Sequence, residues 1–270
     1  MRVCVAASLI ATAYFLSSSA HADTRLSRGF VPIQDGVKIT EVAGPLEFPW
    51  GLAALPDGTL LITQRDGDVR ILKDGQLQDT VVSFPVEVMT SRNGPDGTLV
   101  RGQGGLLDIV VSPDFENDKR LYFTYARGTL DDNRTAIGRA TWTGNGLKDF
   151  EEIFFVSQGK RDGQHFGSGL AFLPDGTLLA TIGDGGNPPV VFLDTFAREQ
   201  AQNLQSQFGT VIRLKPDESV PEDNPFVDLE GAKPEIWSFG HRNAQGIVVD
   251  PENGAVWSSE HGPLGGDELN

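Results

Sequence analysis

Residues 163 to 186 read GQHFGSGLAFLPDGTLLATIGDGG. Gly169-Leu-Ala-Phe-Leu is an apolar strand, Pro174-Asp-Gly176 a tight turn and Thr177 to Ile182 a second strand, because Pro and Gly supply the dihedrals that a short hairpin connection needs. The pattern recurs in Trp50-Gly-Leu-Ala-Ala-Leu-Pro-Asp-Gly58, in Gly105-Leu-Leu-Asp-Ile-Val-Val-Ser-Pro-Asp114 and in Gly246-Ile-Val-Val-Asp-Pro251. The prolines of the four copies are Pro56, Pro113, Pro174 and Pro251, spaced by 57, 61 and 77 residues. Their second strands are expected over 59–63, 120–125 and 255–258, and further short strands over 68–72 and 209–214. Four short strands in each unit of ~50 residues describe a β-propeller blade, whose faces are buried by the neighbouring blades. The expected fold is therefore all-β, a propeller with about four blades in this chain.

Long amphipathic helical patterns are nearly absent. Asp194 to Gln207 is the exception, and its glutamines suit a loop as well as a short helix. The chain stops at Gly-Gly-Asp-Glu-Leu-Asn270, in a Gly- and acid-rich loop just after a strand, as expected of a piece of a larger ring. The stretch 37–42, ahead of the first repeat, could then be the outermost strand of a closing blade.

The chain opens MRVCVAASLIATAYFLSSSAHA, a basic residue, an apolar run and then Ala20-His21-Ala22. This order is that of a secretory signal, with cleavage expected after Ala22 and the propeller domain over 23–270. The apolar run is too short for a comfortable membrane span, and no later window approaches ~20 uninterrupted apolar residues. A periplasmic or secreted protein follows. Cys4, the only cysteine, lies in the leader, so the mature chain has no thiol for a disulfide or a thiolate metal site. Loss of Arg2 with the leader takes the formal charge from −15 to −16. So acidic a surface repels phosphate backbones and argues against a nucleic-acid partner.

Polar residues cluster where the inner strands begin or end: Gly102-Gln103-Gly104-Gly105, Gln164-His165, Phe239-Gly-His-Arg-Asn-Ala-Gln-Gly246 and Glu260-His-Gly-Pro263. In a propeller such loops converge at one mouth of the channel, although they are far apart in sequence. His165 is the natural general base, since its ordinary pKa lies close to neutral. Plainer readings exist for each residue: a turn cap for His165 or Gln103, an ion pair for Arg242, an ordinary turn at Gly262-Pro263.

GQGGLLDIVVSPDF, GQHFGSGLAFLPDGTLLATIGDGG, FGHRNAQGIVVDP and SSEHGPLGGDELN resemble, in order, motifs of the soluble pyrroloquinoline-quinone (PQQ)-dependent glucose/sorbosone dehydrogenases, periplasmic aldose sugar dehydrogenases among them. The likeness runs from about Pro49 to Asn270. It implies a six-bladed propeller with PQQ at the channel mouth and calcium beneath it. On this likeness His165 matches the base that takes the sugar C1 hydroxyl proton while hydride passes to the quinone, and Gln103 matches a substrate-side residue beside it. Arg242 and Asn243 match PQQ contacts, Arg242 also stabilising charge on the reduced ring. Gly262 and Pro263 match carbonyl ligands of the PQQ-associated Ca²⁺, and Glu268 a ligand of a second, structural Ca²⁺. The implied partners are an aldose and a soluble electron acceptor. Gln164 stands where the glucose-oxidising branch has an acidic residue, and Gly185 where that branch has a glutamine. His241 is expected to pack beside Trp237. Two other readings stay open, a non-catalytic binding propeller of the same superfamily and a calcium-dependent sugar lactonase. The first would need neither the histidine nor the arginine, and the second would need a carboxylate-rich metal centre in the channel.

Overall fold

The computed structural model describes residues 40–90, 102–186, 191–192 (backbone only) and 195–270. The expected leader and the first half of the stretch 37–42 lie outside them, and Thr40, Glu41 and Val42 form no strand. All named elements fall within the unit Val42–Asn270.

The first blade is the antiparallel meander β1 (Pro49–Ala54), β2 (Leu60–Gln64), β3 (Asp68–Lys73) and β4 (Gln76–Ser83). The second is β5 (Leu106–Val111), a single turn α1 (Phe115–Asp118), β6 (Arg120–Gly128), β7 (Asn133–Trp142) and β8 (Leu147–Phe155). The third starts with β9 (Gly167–Phe172) and β10 (Leu178–Ile182). A two-stranded ribbon, β11 (Val191–Phe192) with β12 (Thr195–Phe196), then leads into a 3₁₀ turn at Ala197–Gln202, which resolves the ambiguity of the glutamine-rich segment. The blade is completed by β13 (Thr210–Leu214) and β14 (Ile236–Phe239). The fourth sheet has three strands, β15 (Ala244–Val249), β16 (Val256–Glu260) and β17 (Glu268–Leu269). The chain is thus an all-β propeller of four blades, as its repeats predict. The innermost strands run in order around the arc, β1 beside β5, β5 beside β9 and β9 beside β15. Among the described residues no helix is long and apolar enough to cross a membrane.

Three second strands begin one residue later than their sequence pattern suggests, for one physical reason. The Thr59 amide donates to Asp57 Oδ1 (3.0 Å), that of Thr177 to Asp175 Oδ1 (2.9 Å) and that of Ala255 to Asn253 Oδ1 (2.8 Å). Each turn side chain satisfies the amide locally, so the residue belongs to the turn rather than to the ladder.

The blades are joined by apolar packing and by a repeated hydroxyl clamp. One core cluster, with Leu61, Phe84, Leu106 and Phe123, unites the first two blades, and another, with Tyr122, Ile137, Leu170 and Ile212, unites the second and third. In each second strand a buried threonine then reaches across to the next blade. Thr63 Oγ1 donates to the Leu107 carbonyl (2.5 Å), Thr124 Oγ1 to that of Ser168 (2.7 Å) and Thr181 Oγ1 to that of Ala244 (2.7 Å). The same hydroxyls accept from the amides of Gly51, Asp108 and Gly169 in their own blades. Thr124→Val keeps the shape but strands the Asp108 amide and the Ser168 carbonyl. A buried polar group left unmade costs about 1–3 kcal/mol, so the urea midpoint should fall by that equivalent with an unchanged slope. An unmoved midpoint would show that the clamp contributes nothing.

Candidate active site

Four loops at the ends of the inner strands meet around His165. The first is the Gly-rich entrance to β5. Arg65 holds it, its Nε donating to the Gly104 carbonyl (2.9 Å) and its Nη2 to that of Gly102 (2.8 Å). A Cβ at Gly105 would overlap the Arg65 carbonyl, and Gly105 lies at φ +134°, so this loop tolerates only glycine there. Held in this way, Gln103 spans to the third blade: its amide donates to the Gly163 carbonyl (2.5 Å) and its Oε1 accepts the His165 amide (2.9 Å). Asn243, 1% exposed at the entrance to β15, completes the knot. Its Nδ2 approaches Gln103 Oε1 at 3.4 Å, and its Oδ1 accepts the Gly167 amide at 3.0 Å. Gln103, His165 and Asn243, from three blades, are therefore brought together.

His165 is 4% exposed and its backbone is left-handed, at φ +52°, which the amide contacts on both sides stabilise. Its Nδ1 lies 2.6 Å from Asp184 Oδ1, and Asp184 is itself 5% exposed. A carboxylate only accepts, so the proton of a neutral imidazole sits on Nδ1 and the lone pair on Nε2. Nε2 takes no hydrogen bond from the described residues. Asp184 Oδ1 also accepts the Gly186 amide (3.0 Å), and the Asp184 amide donates to the Arg242 carbonyl (2.7 Å). Sequence reasoning did not single out Asp184. The signal was present, since IGDGG closes the strand β10, whose last residue Ile182 pairs with Gly167, two residues past the histidine.

Arg242 is placed by Glu260. The Arg242 amide donates to Glu260 Oε1, and its Nη1 donates to the His261 carbonyl at 2.6 Å. His241 is held between Ser238 Oγ (2.9 Å) and Glu260 Oε2 (3.0 Å), partners that its expected packing on Trp237 did not foresee. Burial works to raise the Glu260 carboxyl, but hydrogen bonds from His241 and from the Arg242 and Asn243 amides outweigh it and hold the group below the ordinary range. A cavity of about 370 Å³ opens beside these residues, lined among others by Asp184, Arg198, His241, Arg242 and Pro263. Two guanidiniums on one wall suit a ligand with several carboxylates.

Gly262, Pro263 and Glu268 lie on the loop and strand that follow β16. The Gly262 amide donates to Asp267 Oδ1 (2.8 Å), and Glu268 pairs across the ladder with Glu260. A second cavity, of about 180 Å³, is lined by Gln245, Ser259, Glu260, His261, Asp267 and Glu268. These oxygen donors are of the kind that hard cations take. Among the described residues no three His, Cys, Asp or Glu side chains converge into a ready-made cage.

The chain is similar to known proteins over most of its length. Residues 46–270 match the model of the family described as Glucose / Sorbosone dehydrogenase. The chain is 49% identical over 237 residues to the uncharacterized protein slr1608 of Synechocystis sp., covering 88% of this chain and 57% of that protein. It is 36% identical over 239 residues to aldose sugar dehydrogenase YliI of Escherichia coli, covering 87% and 59% respectively. The PQQ-bound form of an aldose sugar dehydrogenase from Streptomyces coelicolor superposes with a TM-score of 0.62 at 28% identity, covering 86% of this chain and 62% of that one. The chain thus spans less than three fifths of the length of the two curated relatives. Fold, ordered motifs and family match agree that this chain belongs to the glucose/sorbosone dehydrogenase family.

Proposed function

We propose that this chain carries the base and the cofactor-facing wall of an exported PQQ-dependent aldose dehydrogenase, which oxidises the sugar at C1 to the lactone. The observation that carries the reading is the buried His165–Asp184 pair, at 2.6 Å, with the His165 backbone tied to Gln103. The chain's likeness to an aldose sugar dehydrogenase and to the PQQ-bound form of another supports the same chemistry.

His165 Nε2 takes the proton of the C1 hydroxyl. Asp184 keeps Nδ1 protonated beforehand and stabilises the imidazolium that forms, so the base is oriented and its charge is met within one contact. Gln103 fixes the backbone of that base and, with Asn243, the spacing between three blades. PQQ, when bound, supplies the two-electron sink that accepts the hydride leaving C1. Arg242 and Arg198 would hold its carboxylates, and Asn243, at the entrance to β15, is the further proposed contact. Hydride departs more readily from an alkoxide than from an alcohol, so proton removal by His165 is the contribution of the protein to the barrier. The lactone leaves, and a soluble acceptor would take the two electrons onward.

Dye-linked oxidation of a panel of aldoses tests the reading. Turnover that requires added PQQ is expected; bound PQQ without turnover of any aldose would overturn it. For calcium, the Gly262 and Pro263 carbonyls are the proposed donors to a PQQ-associated Ca²⁺, and the Glu268 carboxylate is the proposed donor to a second, structural Ca²⁺. Exhaustive chelation should lower the melting temperature, because a ligand that binds only the folded state stabilises it by mass action. A melting temperature unchanged by chelator and by added Ca²⁺ would remove these residues from a metal role.

A further inference from the structure

Lys160, in the loop between β8 and β9, is buried at 3% exposure and has no assigned part in the reaction. Its Nζ donates to Asn133 Oδ1 (2.8 Å) and to the Asp162 carbonyl (3.2 Å) and stands 4.0 Å from the centre of the Phe166 ring. Asn133 is fully buried, bridges back to Lys160 through both backbone groups at 2.8 Å, and spends its Nδ2 on the Thr129 carbonyl. All of these contacts are neutral. Among the described residues no carboxylate lies within ion-pair distance of Nζ, and burial pushes the amine down to about 7 against the opposing fields of Asp162 and Asp184. A buried ammonium without a direct counter-ion is costly, and so is a buried carboxylate such as Asp184. They sit on the same wall. A Cβ at Gly185 would lie 3.1 Å from Lys160 Cδ, so the lysine stem covers the residue that follows Asp184, while its head covers the residue that follows His165.

We propose that Lys160 is a positioning residue of the active site: in its ammonium form it sits behind the His165–Asp184 pair, balances the charge there and so holds the Nδ1–H of His165 in its contact with Asp184. The inference rests on the proposed reading only in taking His165 as the reacting base; its geometry and test need no sugar, PQQ or turnover. Two glycines explain how the arrangement fits. A side chain at Gly185 would displace the lysine stem, and one at Gly159 would overlap Asp132 and Arg134, which frame the other side of the loop.

The test follows the His165 Nδ1–H proton by NMR in the full chain, assigned by its absence in His165→Gln. A short imidazole–carboxylate contact gives a resonance far downfield of the amides. The parent should show it, and Lys160→Met, nearly isosteric and uncharged, should lose it to solvent exchange while keeping the parent circular dichroism. The same resonance in a folded Lys160→Met protein would overturn the proposal, and so would its absence from the parent. Urea midpoints supply a second reading. Asp184→Asn should lower the midpoint in the parent but raise it in the Lys160→Met background, where it removes a stranded charge. Equal lowering in both backgrounds would overturn the coupling. Should Lys160→Met fail to fold, Lys160→Met/Asp184→Asn is expected to fold, because neither charge is then buried alone; a double variant that also fails would show that Lys160 serves packing only.

Discussion

Replacing His165 with alanine is expected to lower kcat for aldose oxidation by about 10²–10⁴-fold, the usual contribution of a positioned general base. PQQ binding should survive, because the guanidiniums of Arg198 and Arg242 line the cavity of about 370 Å³ and neither rests on the imidazole. The amide of residue 165 still donates to Gln103 Oε1 in an alanine variant, so the knot between blades is retained. What disappears is the proton acceptor and the partner of Asp184. The measurement is dye-linked turnover beside PQQ titration monitored by absorbance. Turnover within tenfold of the parent would end the assignment of His165 as base, and a parallel loss of PQQ binding would move its role from chemistry to cofactor retention.

Gly183→Ala is expected to be severe for a single methyl. A Cβ there would overlap the carbonyl group of His165 and crowd the Gly167 amide, all backbone, so no side-chain rotation can relieve it. The β9–β10 pair must open where its register is already irregular, between Ala180↔Leu170 and Ile182↔Gly167. Overpacking of this kind costs about 1–3 kcal/mol, and the displacement falls on the residue whose placement the chemistry needs. The expected outcome is a lower urea midpoint together with loss of turnover at least as severe as in His165→Ala. Gly146→Ala is the control. Its Cβ would meet nothing nearer than Thr143 Oγ1 at 3.4 Å, so both properties should stay at parent values. A stable, active Gly183→Ala protein would mean that the strand pair is more pliant than its backbone contacts indicate.

The stabilities of the blades and of the site are linked through the same strands. Thr181 clamps β9 to β15 and stands between Ala180 and Ile182, the residues that set the height of the His165 loop. Deforming the loop therefore loads an inter-blade joint, which is why a substitution that displaces the His165 loop should register in global unfolding as well as in turnover.

Periodicity alone specified the repeating strand pairs, because alternating apolar runs and Pro-Asp-Gly turns are local devices whose dihedrals do not depend on distant residues. The blade count was legible at that level too, whereas Gln103, Arg242 and Asn243 became candidates beside His165 only through the family resemblance of their motifs. Strand starts at Thr59, Thr177 and Ala255 were misread by one residue because an Asp or Asn side chain captures the amide, a competition that hydrophobic pattern does not register. Pairings were beyond the sequence. That Asp184 meets His165, that Gln103 reaches the His165 amide across 62 positions, and that Lys160 lies between the two residues flanking the dyad all depend on which loops the arc of blades brings together. Local chemistry chose the strands; the burial of blade against blade decided which side chains would share a charge.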